Sequence, residues 1–291
     1  MKLNHVGDVI DGLGRSIESH RKEKKMAIVV TGIGRSGTNM VLEILVGNEN
    51  LLDSSTADHR SIFSPKKVNG ESVVPIPHPS NWLTRTDISN FDLHQVDKAM
   101  SDNPDLKLIW VVRDPRDVIM SKLKRGQPES RGNVGGGDST SDDATVIGCI
   151  DDMIHGYGCY SIIVNNYPDR VHTVRMEDVL INIQHECELM CDFIGVPYDP
   201  NMLNFMEWMR NYTGRDGREV IYTEIDHSRI GLWRRPQDVY SGYFEEGNFG
   251  EEFPLEEMFT MRFVLDVINR FNYYYPDGKL QPLSRQYRRI K

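Results

Sequence analysis

The sequence predicts an α/β fold on three observations. Short apolar runs occur at 26–30 and 106–112, too short for helices and suited to buried strands, and 170–175, with Val171, Thr173 and Val174, is a third strand candidate. Each leads within a few residues into a helical pattern, the alternation from which α/β domains are built. The first junction is glycine-rich, with Gly32, Gly34 and Gly37 inside six residues. A strand, a glycine turn and a helix start point backbone N–H groups and a helix dipole at an anion.

A chain of 291 residues buries a large core and is expected to form one domain over 26–291, preceded by a helical extension over 1–25. The net charge of −9 argues against a general nucleic-acid or anionic-membrane surface, while leaving room for a basic pocket around a small anion. No apolar run approaches bilayer length and the first residues lack a signal-peptide core, so a cytoplasmic chain without a membrane anchor is expected. The four cysteines, Cys149, Cys159, Cys187 and Cys191, read as buried thiols in a reducing compartment. No histidine or cysteine pair completes a zinc site around Cys187 and Cys191.

In chain order, Val6, Val9, Ile10, Leu13 and Ile17 give the extension an apolar stripe, followed by the solvated run His20–Lys25. The first strand, from Met26, stops at Thr31. The helix after the loop carries Val41, Leu42, Leu45 and Val46 on one face. Glycine suits the loop because a side chain would hold the backbone away from a phosphate or forbid a positive φ. Ser36 and Thr38 add hydroxyl donors and Arg35 a permanent cation, which favours an anion site over an ordinary glycine turn. Gly32 and Gly37 have the Walker A separation, but Thr38-Asn39 stands where that motif needs Lys-Ser/Thr. That argues against a metal-dependent nucleoside triphosphate enzyme.

Pro65, Pro75, Pro77 and Pro79 make 49–105 a region of loops and short pieces, where an acceptor pocket is expected. Asp92 to Met100 fits a short helix stopped at Asn103-Pro104. The second strand runs into Arg113, with Asp114 as helix N-cap and Pro115 in the first turn. Ser121 then lies about two turns along that helix. Arg113 and Ser121 can face one ligand; the alternative pairs Arg113 with Asp114 or Asp117. The glycine- and serine-rich stretch 129–143 is expected to be a mobile loop, as a lid or as plain disorder. A long helix follows over 144–167, with Val146, Ile147, Ile150, Ile154 and Tyr157 apolar and Pro168 at its end. The third strand leads into Met176–Leu180 and then a helix to about Ile194, closed by Gly195 and Pro197. A short helix at 199–210 and an amphipathic helix at 255–271 complete the elements, with Tyr273–Pro276 packed on the body.

Gly34-Arg35-Ser36-Gly37-Thr38 resembles the 5′-phosphosulfate loop of the sulfotransferases that use 3′-phosphoadenosine 5′-phosphosulfate (PAPS). The strand ending Arg113-Asp-Pro-Arg-Asp, followed by Ser121, resembles their 3′-phosphate motif. Arg175–Asp199 resembles a further family segment, and His227–Arg235 the late loop that closes over the nucleotide. The resemblance implies a three-layer α/β sandwich with a mainly parallel central sheet and a core like that of P-loop nucleotide kinases. It implies transfer of a sulfuryl group from PAPS to a hydroxyl or amine of a small-molecule, carbohydrate, lipid or peptide acceptor. The product nucleotide would be 3′-phosphoadenosine 5′-phosphate (PAP), and no metal is required.

By the same resemblance, Gly34, Arg35, Ser36, Gly37, Thr38 and Asn39 hold the 5′ side, Arg113 and Ser121 the 3′-phosphate, and Arg229 and Arg234 the closing loop. Arg35 is also expected to act on the leaving phosphate. For the general base, His59 and His78 rank equally, with His94 and Glu71 behind them. Met40 and Met176 stand where relatives carry aromatic adenine contacts. A small-molecule kinase using the same loop, and a nucleotide-binding module without catalysis, are the competing readings.

Overall fold

The computed structural model describes residues 26–53, 66–68, 71–73, 82–88, 91–126, 146–209, 230–231, 262–271 and 273. The expected extension at 1–25, the loop at 129–143, and His59, His78, Arg229 and Arg234 lie outside the described residues.

The described elements are β1 (Ala27–Gly32), α1 (Thr38–Val46), β2 (Leu52–Asp53), β3 (Lys66–Val68), β4 (Glu71–Val73), β5 (Trp82–Arg85), α2 (Leu93–Asp102), β6 (Lys107–Val112) and α3 (Pro115–Gly126). They continue with α4 (Val146–Asn166), β7 (Val171–Arg175), α5 (Met176–Ile181), α6 (Ile183–Ile194), α7 (Phe205–Met209) and α8 (Arg262–Arg270). Five strands form one sheet in the order β2-β5-β1-β6-β7, and every pairing in it is parallel. A separate antiparallel ribbon joins β3 to β4.

The alternation of strand side chains divides the core into two layers. Ile28, Val30, Ile109 and Val111 pack with apolar residues of α1, α5 and α6. Val29, Leu108, Trp110 and Val112 pack with those of α2, α3, α4 and α8 on the other face. The result is the expected three-layer sandwich. The chain thus leaves β1 toward one face and leaves its neighbour β6 toward the other. Where neighbouring parallel strands part in this way, a crevice opens beyond their C-terminal ends.

Several boundaries differ from the sequence reading. β1 continues through Thr31 and Gly32 because these residues pair with Trp110 and Val111 of β6. The buried face of α1 is Val41, Leu42, Ile44 and Leu45, with Val46 at its margin. On α4, Ile154 is 50% exposed, because the helix turns Cys149, Met153 and Gly156 inward instead. Gly156 lies against Ile33 of the glycine loop with no room for a Cβ, which lets α4 press directly on that loop. Met176–Ile181 forms a short helix of its own, separated at Asn182, whose backbone leaves helical geometry, from the helix that ends at Ile194 as expected. α2 begins as expected, with Asp92 and Gln95 forming a reciprocal capping box.

All four cysteines are buried and free; burial pushes the Cys187 thiol up to about 12. No helix among the described residues is long and apolar enough to cross a membrane.

Candidate functional site

The loop between β1 and α1 sits at the mouth of the crevice, and its own bonds shape it. The Ser36 amide donates to the Ile33 carbonyl at 3.0 Å, and the Ser36 hydroxyl to the same oxygen at 2.6 Å. Ser36 is buried and braces the turn. Gly37 caps α1 with φ 100°, and no side chain caps the helix. First-turn amides of α1 therefore face the crevice without an intrahelical acceptor. The backbone angle calls for glycine there, and a Cβ at Gly37 would also have to displace the Met176 side chain.

Arg35 is the one non-glycine residue with positive φ among the described residues, at 77°. The left-handed region costs a non-glycine residue about 1–2 kcal/mol, and such residues persist where the surroundings over-determine them. Two contacts hold it. Arg113 Nη1 donates to the Arg35 carbonyl at 3.1 Å, and Arg35 Nε donates to Ser121 Oγ at 3.0 Å. Three residues expected to serve one ligand, drawn from β1's loop, the end of β6 and the second turn of α3, are therefore joined by direct hydrogen bonds.

The floor beneath Arg113 is buried and charged. Tyr157 of α4 donates to the Arg113 carbonyl at 2.9 Å, and burial pushes its phenol well above the usual range, so the donor proton is retained. Asp114 caps α3 through the Arg116 amide at 3.0 Å. It also takes a two-bond contact from the Arg116 guanidinium, at 2.9 and 2.7 Å. Asp117 accepts the Gly231 amide at 2.8 Å, pinning the described part of the late loop to α3. Arg116 and Gly231 are thus partners of these two carboxylates.

Two residues at the end of β5 were not singled out from sequence. Arg85 Nη1 reaches Thr38 Oγ1 at 3.4 Å, and Asp87 Oδ1 accepts the Gly34 amide at 3.1 Å. β5 pairs with β1 in parallel register, so its C-terminal residues emerge beside the loop. No local signal marked them, because Trp82-Leu-Thr-Arg85 carries no apolar run.

Of the remaining candidates, Asn39 is exposed at the start of α1 and His94 is exposed on α2, while Glu71 contributes backbone to β4. The guanidiniums of Arg35, Arg85 and Arg113 and the α1 amides, set against the Asp87 carboxylate, suit a small, multiply charged anion. No cluster of acidic, histidine or cysteine side chains among the described residues could hold a metal ion.

A sequence model described as "Sulfotransferase family" matches residues 63–200. Comparison with curated proteins gives no match. Among solved structures, the sulfotransferase domain from the curacin biosynthetic pathway superposes with a TM-score of 0.55 at 15% identity, over 87% of this chain and 99% of that one. The sulfotransferase domain of the Synechococcus PCC 7002 olefin synthase gives 0.50 at 16% identity, over 86% and 95%. At these identities the likeness is one of fold.

Proposed function

We propose that this sulfotransferase-family chain transfers the sulfuryl group of PAPS to a hydroxyl or amine acceptor, using a single domain over 26–291. One observation carries the reading. Arg113 and Ser121 from the β6–α3 junction bond directly to Arg35 of the β1–α1 loop, so one nucleotide can touch both strand ends. PAPS, when bound, supplies the sulfuryl group, whose bond to the 5′-phosphate oxygen breaks as the acceptor's bond to sulfur forms.

The chain's own groups divide the remaining work. The α1 amides and Arg35 stabilise the charge that grows on the 5′-phosphate, where prearranged donors are most effective. Arg113 and Ser121 hold a 3′-phosphate, fixing the nucleotide's direction. Arg85, beside Thr38, adds charge on the β5 side. Asp87 is our proposed general base, its carboxylate lying at the loop on the Gly34 amide, and it competes for this role with His59 and His78. Gly34, Ser36, Gly37 and Thr38 shape the loop, Asn39 borders it, and Arg229 and Arg234 are proposed to complete the anion cage. The four free thiols support a reducing, cytoplasmic location.

The test is a thermal-shift titration with PAP, 5′-AMP and ATP–magnesium, followed by an acceptor screen with radiolabelled PAPS over phenols, alcohols, sugars, lipids and peptides. A ligand selective for the native state raises the melting temperature by mass action. PAP is expected to give the largest shift and one acceptor class to take up label. A larger shift with ATP–magnesium would contradict the proposal and favour a kinase.

A further inference from the structure

We propose that Glu177 is a positioning residue for Arg113, fixing the backbone on which that side chain stands and setting how much of its charge reaches an anion in the crevice. The inference rests on the bisphosphate reading above and names a regulator of that same site.

Glu177 lies in the first turn of α5, just after β7, and is 1% exposed. Its Oε1 accepts the amide of Asp114, the residue after Arg113, at 2.9 Å. Tyr157 grips the Arg113 carbonyl from α4. The strand end that carries the guanidinium is therefore clamped from two elements, on both sides of its peptide. The second carboxyl oxygen of Glu177 is buried with no hydrogen-bond partner among the described residues.

The charges around it explain why it matters. Arg113, Asp114 and Asp117 face it from the β6–α3 junction. Tyr157 faces it from α4 and Tyr273 from beyond α8. Arg175 and Asp178 flank it on its own segment. Asp114 is held by Arg116 and Asp117 by the Gly231 amide. Burial raises the Glu177 carboxyl to about 8, with Asp114 and Asp117 adding to the rise and the Asp114 amide and Arg113 opposing it. At neutral pH Glu177 is thus a neutral acid. It accepts a hydrogen bond without placing a further negative charge beside Arg113, and the guanidinium field is directed to the crevice. Ionisation would set a carboxylate beside Arg113 and weaken that field.

Calorimetric titration of the full chain with PAP and with 5′-AMP, from about pH 7 to about pH 9, tests this. Both ligands' phosphates are ionised across most of that range. Wild-type affinity for PAP is expected to fall about tenfold with rising pH, one unit of pKa coupling, while 5′-AMP changes less than about threefold. Glu177→Gln, a fixed neutral analogue, is expected to keep the low-pH affinity throughout. A flat wild-type profile for PAP, read without any variant, overturns the inference. So does the same slope in wild type and Glu177→Gln; both outcomes leave the bisphosphate reading standing. Absence of PAP binding at every pH removes that reading and this inference with it.

Discussion

Arg113 and Arg35, 78 residues apart in sequence, are joined by a hydrogen bond of 3.1 Å from the guanidinium of one to the carbonyl of the other. The cation at the end of β6 therefore helps set the backbone of the loop after β1. In the proposed complex this bond links the groups assigned to the two ends of the nucleotide.

Arg113→Ala removes a buried, charge-assisted contact. Such contacts are worth about 1.5–3 kcal/mol, so PAP affinity should fall about 10- to 150-fold. The 5′-AMP affinity should fall much less, through loosening of the loop alone. Calorimetry on both ligands reads the difference, and equal losses would remove the 3′-phosphate role from Arg113.

Arg35 separates stability from activity. Arg35→Gly and Arg35→Ala both lose the guanidinium and should both lose most turnover while retaining most nucleotide binding. At φ 77°, glycine avoids the strain that alanine keeps, so Arg35→Gly should be the more stable variant by about 1 kcal/mol. Denaturant melts compare the two. Turnover near the wild-type rate in either variant would show that the guanidinium is not needed for transfer.

Much of this architecture could be read locally. Buried strand runs, glycine loop and capping residues are each written in a few consecutive positions, which is why β1, α1, α2, β6 and the start of α3 emerged close to their observed limits. The end of β5 was not legible. Trp82-Leu-Thr-Arg85 lacks an apolar run, and it becomes a strand only through its pairing with β1. Arg85 and Asp87 reach the loop by that long-range pairing. The same reasoning explains Ile154: helical spacing marked it as apolar-facing, but the close approach of Gly156 to Ile33 rotates α4 and leaves it exposed.

Asp87→Asn keeps an acceptor for the Gly34 amide but cannot take a proton. PAP binding should be nearly unchanged, with turnover reduced at least about 100-fold, the usual range for a general base. His59→Ala and His78→Ala should retain turnover. Loss of turnover in either histidine variant with Asp87→Asn active would move the base to that histidine.

Gly37→Ala should destabilise the chain by more than about 1 kcal/mol, since φ 100° is unfavourable for alanine and its Cβ meets Met176. Adding Met176→Ala should recover the steric part and leave the backbone part. Full recovery in the double variant would mean that the angle carries no strain.

Glu177 makes stability fall with rising pH. Its folded pKa of about 8 lies above the ordinary value of 4.5, so between these values the native state binds the proton more tightly than the unfolded chain. Its contribution is fully present below about pH 4.5 and is lost as pH rises toward about 8. Glu177→Gln should flatten that decline in urea melts, and an unchanged decline would place its origin elsewhere.

The central claim, that one nucleotide spans the β1 loop and the end of β6, is tested most directly by a crystal structure of the chain grown with PAP. The account predicts the 5′-phosphate on the α1 amides and Arg35, with the 3′-phosphate on Arg113 and Ser121. A nucleotide bound with either phosphate outside this crevice would contradict it.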